Sequence, residues 1–365
     1  MKRILPLLLV LSLGAMAFGC KDDSDNNKNG AGDPANTGGE QPGTPGAPGN
    51  PGDPPTDVEM NTNPTDGLEP AAAVLESGGF TDGPVWHAGM GVVFFTRPLG
   101  EGALFRMLPD GRMLKVRDGV SAQGTQPIGN TVNAAGEVIT VEAKRIVRQA
   151  AEGGDPIVIA TKYTGVDQQQ PDPLDPNAPP PPVGDGQFDT LNDVVSRSDG
   201  TLYVTDPGYF ATPTANRIYR IDPSGAVQVV EAFDDVPRPN GIVLSPDEKT
   251  LYVGFSAPIA GTLPFIRKYI VNEDGTLGEW TKFADIGPED SQPDGLAIDK
   301  VGNVYVATKA GIEVFKPSGE KWGAIAVPEQ PTGMTFGGED MKTLFITTTG
   351  VKVWQVKMKL EGISH

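Results

Sequence analysis

Six passages of similar pattern recur along the chain. In each, a short apolar strand, a polar or glycine-rich turn and a second strand follow one another. The passages are "TDGPVWHAGMGVVFFTR" from Thr81, "PIGNTVNAAGEVITVEA" from Pro127, "LNDVVSRSDGTLYVTDP" from Leu191, "PNGIVLSPDEKTLYVGF" from Pro239, "PDGLAIDKVGNVYVATK" from Pro293 and "PTGMTFGGEDMKTLFIT" from Pro331. Repeats with a period of tens of residues indicate solenoids, propellers or arrays.

The spacing of the passages favours a propeller. Their second residues are 38 to 64 residues apart, which leaves room for four strands in each repeat. Short alternating runs of β-branched and aromatic residues indicate strands, and no long window has helical spacing. We therefore predict an all-β, six-bladed β-propeller over residues 71–362. The last strand, "VKVWQVKMKL", is expected to close the ring by pairing near Ala71.

A proline-rich insertion at 164–188 accounts for the longest spacing. It precedes the strand that carries Asn192, so it is expected to emerge at one mouth of the propeller. Two interpretations stay open. The insertion is either a lid or partner-binding loop, or a tolerated, disordered surface segment.

The first 70 residues have the composition of an export signal and a linker. Residues 1–19 combine Lys2 and Arg3 with a short apolar run, which is typical of a signal peptide. The single cysteine, Cys20, follows at the expected site of lipid attachment. Residues 20–70 are rich in Gly, Pro, Asp and Asn, which predicts a disordered linker. We expect an exported lipoprotein that faces the periplasm or sits on the outer membrane, with this anchor as its only membrane contact.

The formal net charge of -18 disfavours nucleic acid as a partner, because an acidic protein repels phosphate backbones. Once Cys20 is lipidated, the folded part has no thiol, which excludes disulfides and cysteine nucleophiles.

Equivalent positions at the start of the innermost strands form a ring around the axis of a propeller. Here these positions are Asp82, Ile128, Asn192, Asn240, Asp294 and Thr332. Four of them offer carboxylate or amide oxygens, which hard cations such as Ca²⁺ prefer. A single Asn or Asp in such a place is more often a turn residue. Four around one ring favour a central metal ion.

The passages resemble those of the SMP-30/gluconolactonase/regucalcin-like family. "GFTDGPVWH", "LNDVVSRSDGTLYVTDPGYF", "PNGIVLSPDEKTLYVGF", "PDGLAIDKVGNVYVA" and "FGGEDMKTLFITT" match its signatures in order. The resemblance implies a six-bladed propeller with an axial Ca²⁺ that hydrolyses sugar lactones or related esters. It also implies the metal ligands Asp82, Asn192, Asn240 and Asp294. The chain departs from the family at Asp82, where relatives carry glutamate, and at Gly333, where asparagine is common.

Lactone hydrolysis also needs a base near the metal. His87 is predicted to lie toward the opposite mouth, and His365 is the last residue. Asp294 is therefore the first candidate and Asp193 the second, although Asp193 is at least as suited to anchoring Asn192. The carboxylates Glu142 and Asp206 are expected to be structural.

Three hypotheses for function stay open. The first is a Ca²⁺-dependent hydrolase of small-molecule lactones or esters, acting as a monomer. The second is a phosphotriesterase-like hydrolase. The third is a non-catalytic surface propeller that binds sugar or protein and has a structural metal.

Overall fold

A computed structural model describes residues 54–119, 126–166, 186–209, 216–233, 237–257, 263–288 and 291–364. The predicted signal peptide, Cys20 and most of the insertion at 164–188 lie outside the described residues. No helix in the described part is long and apolar enough to cross a membrane.

The described chain begins with one short helix and one strand, α1 (Asp57–Met60) and β1 (Ala72–Glu76). Six antiparallel sheets follow the prediction of six blades. We number the blades along the chain from the one that starts at residue 82.

The strands of the first three blades run in this order. Blade 1 contains β2 (Asp82–His87), β3 (Val92–Arg97), β4 (Ala103–Met107) and β5 (Met113–Asp118). Blade 2 contains β6 (Pro127–Val132), β7 (Glu137–Glu142), β8 (Arg145–Ala150) and β9 (Ile157–Ala160). Blade 3 contains β11 (Val194–Ser196), β12 (Leu202–Asp206), β13 (Asn216–Ile221) and β14 (Val227–Phe233), and β10 (Gly165–Val166) lies parallel to β14.

The last three blades complete the ring. Blade 4 contains β15 (Arg238–Leu244), β16 (Thr250–Ala257), β17 (Phe265–Val271) and β18 (Leu277–Asp285). Blade 5 contains β19 (Leu296–Asp299), β20 (Val304–Thr308), β21 (Gly311–Phe315) and β22 (Lys321–Ile325). Blade 6 contains β23 (Pro331–Gly337), β24 (Thr343–Thr348), β25 (Lys352–Lys357) and, as its outermost strand, β1.

Burial along the strands explains why this sequence forms blades. In the second strand of blade 3, "LYVTD", all five residues are buried, because both faces of an inner strand pack against neighbouring blades. The outermost strand of blade 1, "MLKVRD", has no buried residue, in keeping with its place at the rim. The apolar core therefore lies between the blades.

The ring closes as predicted. Strand β1 comes from the start of the propeller and pairs antiparallel with β25, with Ala73 opposite Trp354 and Leu75 opposite Val353. Blade 6 is thus built from both ends of the domain, which ties the first strand of the propeller to the last blade.

The segment 54–70 corrects the prediction that a disordered linker reaches residue 70. Thr56 and Glu59 form a capping box on α1. Glu59 also pairs with Lys300 of blade 5 at 2.5 Å. Leu68 packs against the apolar cluster between blades 5 and 6. A few apolar and capping residues are enough to order this part, because the propeller offers them a surface.

The C-terminal segment that contains β26 lies beside the inner strands of blades 5 and 1, near the ends of β19 and β2. Strand β26 (Gly362–Ile363) pairs with β19, with Ile363 opposite Ile298. The next residue, Ser364, donates a hydrogen bond from Oγ to the carbonyl oxygen of Trp86 at 2.9 Å. This segment, Gly362–Ser364, connects blades 5 and 1 at the end of the channel away from residues 82 and 294.

Candidate functional site

The inner strands of all six blades surround one cavity of about 60 Å³. This volume is enough for an ion and a few water molecules. The carboxylate and amide side chains in its wall are Asp82, Asn130, Asn192, Asp193, Asn240 and Asp294. The four predicted metal ligands and both candidate bases are therefore brought together. The two apolar or hydroxyl ring positions, Ile128 and Thr332, are not part of the wall.

Glycines beside the ring residues let the blades approach the axis. A Cβ atom on Gly83 would lie 2.2 Å from the carbonyl oxygen of Ile128. A Cβ atom on Gly241 would lie 2.2 Å from the carbonyl oxygen of Asp294. Because real Cβ atoms never come so close to backbone oxygens, only glycine fits. The glycine after Asn240 thus sets the distance between blades 4 and 5.

Asp82 is held at the start of β2. Its Oδ1 accepts a hydrogen bond from the N–H of Gly83 at 2.8 Å. Burial raises the pKa of Asp82 from 3.8 to about 6, against the opposing effect of that hydrogen bond. The protein around this carboxylate therefore supplies too little positive charge to offset its desolvation.

The pKa of Asp294 is raised more strongly than that of Asp82, and burial is again the first cause. Its pKa is raised well above the ordinary value, first by burial and then by the charges of Asp82 and Asp193. A hydrogen bond from the side chain of Asn240 opposes this shift. A bound cation would relieve the repulsion among the three carboxylates.

The amide of Asn240 has an oxygen without a partner. The residue is 6% exposed, and its Oδ1 is buried with no hydrogen-bond donor in the described part of the chain. Its Nδ2 donates to the hydroxyl of Tyr209 at 3.3 Å. A buried amide oxygen without a donor is costly unless a ligand satisfies it.

Asn192 is fixed through its backbone. Its N–H donates to Thr205 at 2.9 Å, and its carbonyl oxygen accepts from the N–H of Gly129 in blade 2 at 2.9 Å. The side chain is thereby carried into the wall of the cavity between blades 2 and 3.

Asp193 bridges two blades. It stands where blades 1, 2, 4, 5 and 6 have glycine. Its Oδ1 accepts from the N–H of Val194 at 2.9 Å, and its Oδ2 accepts from the N–H of Ile242 in blade 4 at 3.1 Å. Burial raises its pKa to about 7, although both hydrogen bonds oppose the shift. Asp193 thus anchors the next blade.

The other amide in the wall, Asn130, is fully engaged in structure. Its Nδ2 donates to the carbonyl oxygen of Gly83 at 2.7 Å, and its Oδ1 accepts from the hydroxyl of Thr140 at 2.8 Å. It therefore joins blades 1 and 2 and has no amide oxygen free for an ion.

The remaining candidates lie outside the cavity. Glu142 is fully buried and accepts from Arg117 at 2.6 Å. Asp206 accepts from the N–H of Thr190 at 2.6 Å and from the hydroxyl of Tyr219 at 3.1 Å. His87 contacts the carbonyl oxygen of Gly136 through Nε2 at 2.9 Å. These contacts agree with the structural roles expected for the two carboxylates. His365 lies outside the described residues.

The donor set fits a hard cation better than a soft one. Two carboxylates and two amides supply only oxygens, as Ca²⁺ prefers. Within the described ranges, no group of three or more His, Cys, Asp or Glu side chains has the geometry of a metal site. Half of the present set comes from asparagine, and the unpartnered Oδ1 of Asn240 is the observation that favours an ion here.

Sequence reasoning missed Tyr209. It follows β12 in "TDPGYF", and antiparallel pairing returns that strand to the mouth where β11 begins. Its ring lies 5.7 Å from the guanidinium carbon of Arg238. The only signal available was its place three residues beyond a second strand that ends at this mouth.

Comparison with known proteins gives the same family as the sequence passages. The family described as SMP-30/gluconolactonase/LRE-like region matches residues 80–350. A gluconolactonase of Zymomonas mobilis is 34% identical over 192 residues, which are 48% of this chain and 52% of that protein. Pentonolactonase XacC of Haloferax volcanii is 29% identical over 165 residues, or 44% of this chain and 53% of that protein. The chain thus spans about half the length of these relatives.

Among solved structures, regucalcin of Agrobacterium tumefaciens, a calcium-binding protein, superimposes with a TM-score of 0.63. The match covers 82% of this chain and 96% of that chain at 16% identity, so it supports the fold alone. The match over residues 80–350 covers most of the chain and identifies its family. The chain belongs to the SMP-30/gluconolactonase/LRE-like family.

Proposed function

We propose that this protein is a Ca²⁺-dependent hydrolase of sugar lactones. The observation that carries the proposal is the convergence of Asp82, Asn192, Asn240 and Asp294 on one axial cavity, with the amide oxygen of Asn240 unpartnered. Membership of the family and the lactonase names of two relatives support the substrate class. The all-oxygen donor set supports the choice of cation, and a solved structure of the same fold is that of a calcium-binding protein.

The four ring residues would hold the ion. When bound, Ca²⁺ supplies Lewis acidity toward the lactone carbonyl and the oxyanion that forms from it. The glycines bring the inner strands close to the axis, which brings these four residues near one another.

Asp294 is proposed as the base. Asp294 accepts from the side chain of Asn240, but no backbone N–H among the described residues donates to it, whereas both oxygens of Asp193 accept from backbone N–H groups. Asp294 takes a proton from water as the water oxygen bonds to the carbonyl carbon. The ring C–O bond then breaks, and the released alkoxide takes that proton back. The product is the open hydroxy acid. Asp193 is the alternative base, because a pKa near 7 suits proton transfer at neutral pH.

The test is hydrolysis of a panel of aldonolactones and aryl esters by full-length protein, with Ca²⁺ or with EDTA. Asp294→Asn keeps an oxygen ligand of similar size but removes the proton acceptor. We expect measurable Ca²⁺ binding and a rate about 10²–10⁴-fold lower. Asp299→Asn is the matched control, because Asp299 is buried in the same blade but bonds to Asn303 and Tyr305 outside the cavity.

Each rival has its own outcome. A wild-type rate in Ca²⁺-saturated Asp294→Asn would transfer the base role to Asp193. Turnover of phosphotriesters but not lactones would favour the phosphotriesterase-like alternative. Ca²⁺ binding without turnover of any substrate would favour the non-catalytic propeller.

Export, lipidation of Cys20 and a monomeric state are part of the proposal. Export and lipidation are supported by the signal-like residues 1–19, the single cysteine and the linker composition.

A further inference from the structure

Tyr209 contacts a proposed metal ligand without being one. Its hydroxyl oxygen lies 3.3 Å from Nδ2 of Asn240 and accepts a hydrogen bond from it. The same amide has its Oδ1 buried and without a donor among the described residues. One end of the amide is therefore held, and the other is available.

The two ends of an amide differ in chemistry. The oxygen can bind a hard cation, whereas the N–H₂ group is a donor that a cation repels. A group that accepts from Nδ2 thus favours one of the two orientations of the side chain. In this cavity the carboxylate of Asp294 and the hydroxyl of Tyr209 both accept from the side chain of Asn240.

The surroundings of Tyr209 suit a positioning role better than a core role. Tyr209 is 40% exposed, so its ring is only partly covered by the protein. The guanidinium carbon of Arg238 lies 5.7 Å from the ring centroid, which holds the ring at the mouth. Loss of the hydroxyl alone removes its hydrogen bond with the side chain of Ser256 but is expected to leave the contact of the ring with Arg238 unchanged.

We infer that Tyr209 is a positioning residue for the cation site, and that its hydroxyl holds Asn240 with the amide oxygen available to the ion. This inference rests on the proposed function, since it needs a cation in the cavity. Groups that orient metal ligands typically contribute 10–100-fold to affinity. The bond of 3.3 Å is long, so the lower end of that range applies.

The first measurement is Ca²⁺ titration by calorimetry of full-length wild type and Tyr209→Phe. We expect the Kd of Tyr209→Phe to rise by about tenfold, with little change in Tm. Tyr203→Phe is the matched control. Tyr203 lies in the same blade, and its hydroxyl bonds to the carbonyl oxygen of Gly275 at 2.7 Å, away from the cavity. That variant should lose stability but keep its Ca²⁺ affinity.

The second measurement repeats Tyr209→Phe in an Asn240→Asp background. A carboxylate has an oxygen at both ends, so there is no orientation to select. Here the loss of the hydroxyl should change the Kd by less than about threefold, and the two substitutions should be non-additive.

The outcomes separate this inference from the proposed function. Equal Ca²⁺ affinity of wild type and Tyr209→Phe would overturn the positioning role and leave lactone hydrolysis untouched. An equal loss in both backgrounds would also overturn it, because it would indicate general packing. Absence of Ca²⁺ binding by wild type would defeat the proposed metal itself, and this inference with it.

Discussion

Asp82→Asn tests whether the cavity contains uncompensated negative charge. The substitution keeps an Oδ1 that accepts from the N–H of Gly83, but removes the charge. In the metal-free protein, the pKa of Asp82 is about 6 when folded against an ordinary value of 3.8. Between these values the folded state binds more protons than the unfolded state, so stability falls as pH rises from about 4 to about 6 and is level above.

The magnitude follows from the same shift. A difference of roughly two pKa units corresponds to a free energy of unfolding on the order of 3 kcal/mol at pH 8 and to roughly half of that at pH 5. Without metal, Asp82→Asn should therefore unfold at a higher urea concentration than wild type at pH 8, and by a smaller margin at pH 5. With Ca²⁺ the margin should shrink. Wild type should gain about 2.7 kcal/mol at a hundredfold excess over its Kd, and the variant should gain less.

Urea unfolding followed by tryptophan fluorescence, in EDTA and in Ca²⁺ at both pH values, measures all four differences. If Asp82→Asn is no more stable than wild type in EDTA at pH 8, then the carboxylate is not under strain from burial. The cavity would then contain no uncompensated negative charge that favours a bound cation.

Three further predictions concern the ring, the glycines and the anchor. Asp82→Glu should be tolerated and should lower the Kd for Ca²⁺ in calorimetry, because it restores the family's longer reach by about 1.5 Å; weaker binding would mean that the cavity is packed around the shorter side chain. Gly241→Ala should lower the free energy of unfolding in urea by about 1–3 kcal/mol and weaken Ca²⁺ binding, because its Cβ would lie 2.2 Å from the carbonyl oxygen of Asp294. Gly79→Ala is the control and should change neither quantity, because its Cβ would meet only the end of the Arg97 side chain. Cys20→Ala should move the protein from the membrane fraction to the soluble fraction on cell fractionation, and its persistence with membranes would contradict lipid anchoring.

The architecture was predictable because each blade repeats the same pattern. Strand, turn and strand recur with similar residues, so the number of blades and the equivalence of Asp82, Asn192, Asn240 and Asp294 follow from alignment of the passages. The position of a residue within the repeat is enough to predict that its side chain lies near the axis, whatever its neighbours are. This is why the predicted ligands are all found in the wall of one cavity.

Contacts between different repeats were not predictable in the same way. Asp193 accepts from Ile242 of the next blade, and Tyr209 reaches Asn240 from a connection beyond β12. Neither contact is repeated in the described parts of the other blades, so comparison of the repeats with one another could not reveal it. That residues 54–70 are structured was not predicted, for a related reason. Their composition is that of a linker, and only the surface of blade 5 gives Glu59 and Leu68 their partners.

The two non-repeating segments meet at one end of the propeller. Lys300, just beyond β19, pairs with Glu59 at 2.5 Å and with Glu361 at 3.4 Å. Asp294 lies at the other end of that inner strand, because β19 runs from the ring of oxygens toward Lys300. The segment 54–70 therefore joins the propeller at the end away from the ring.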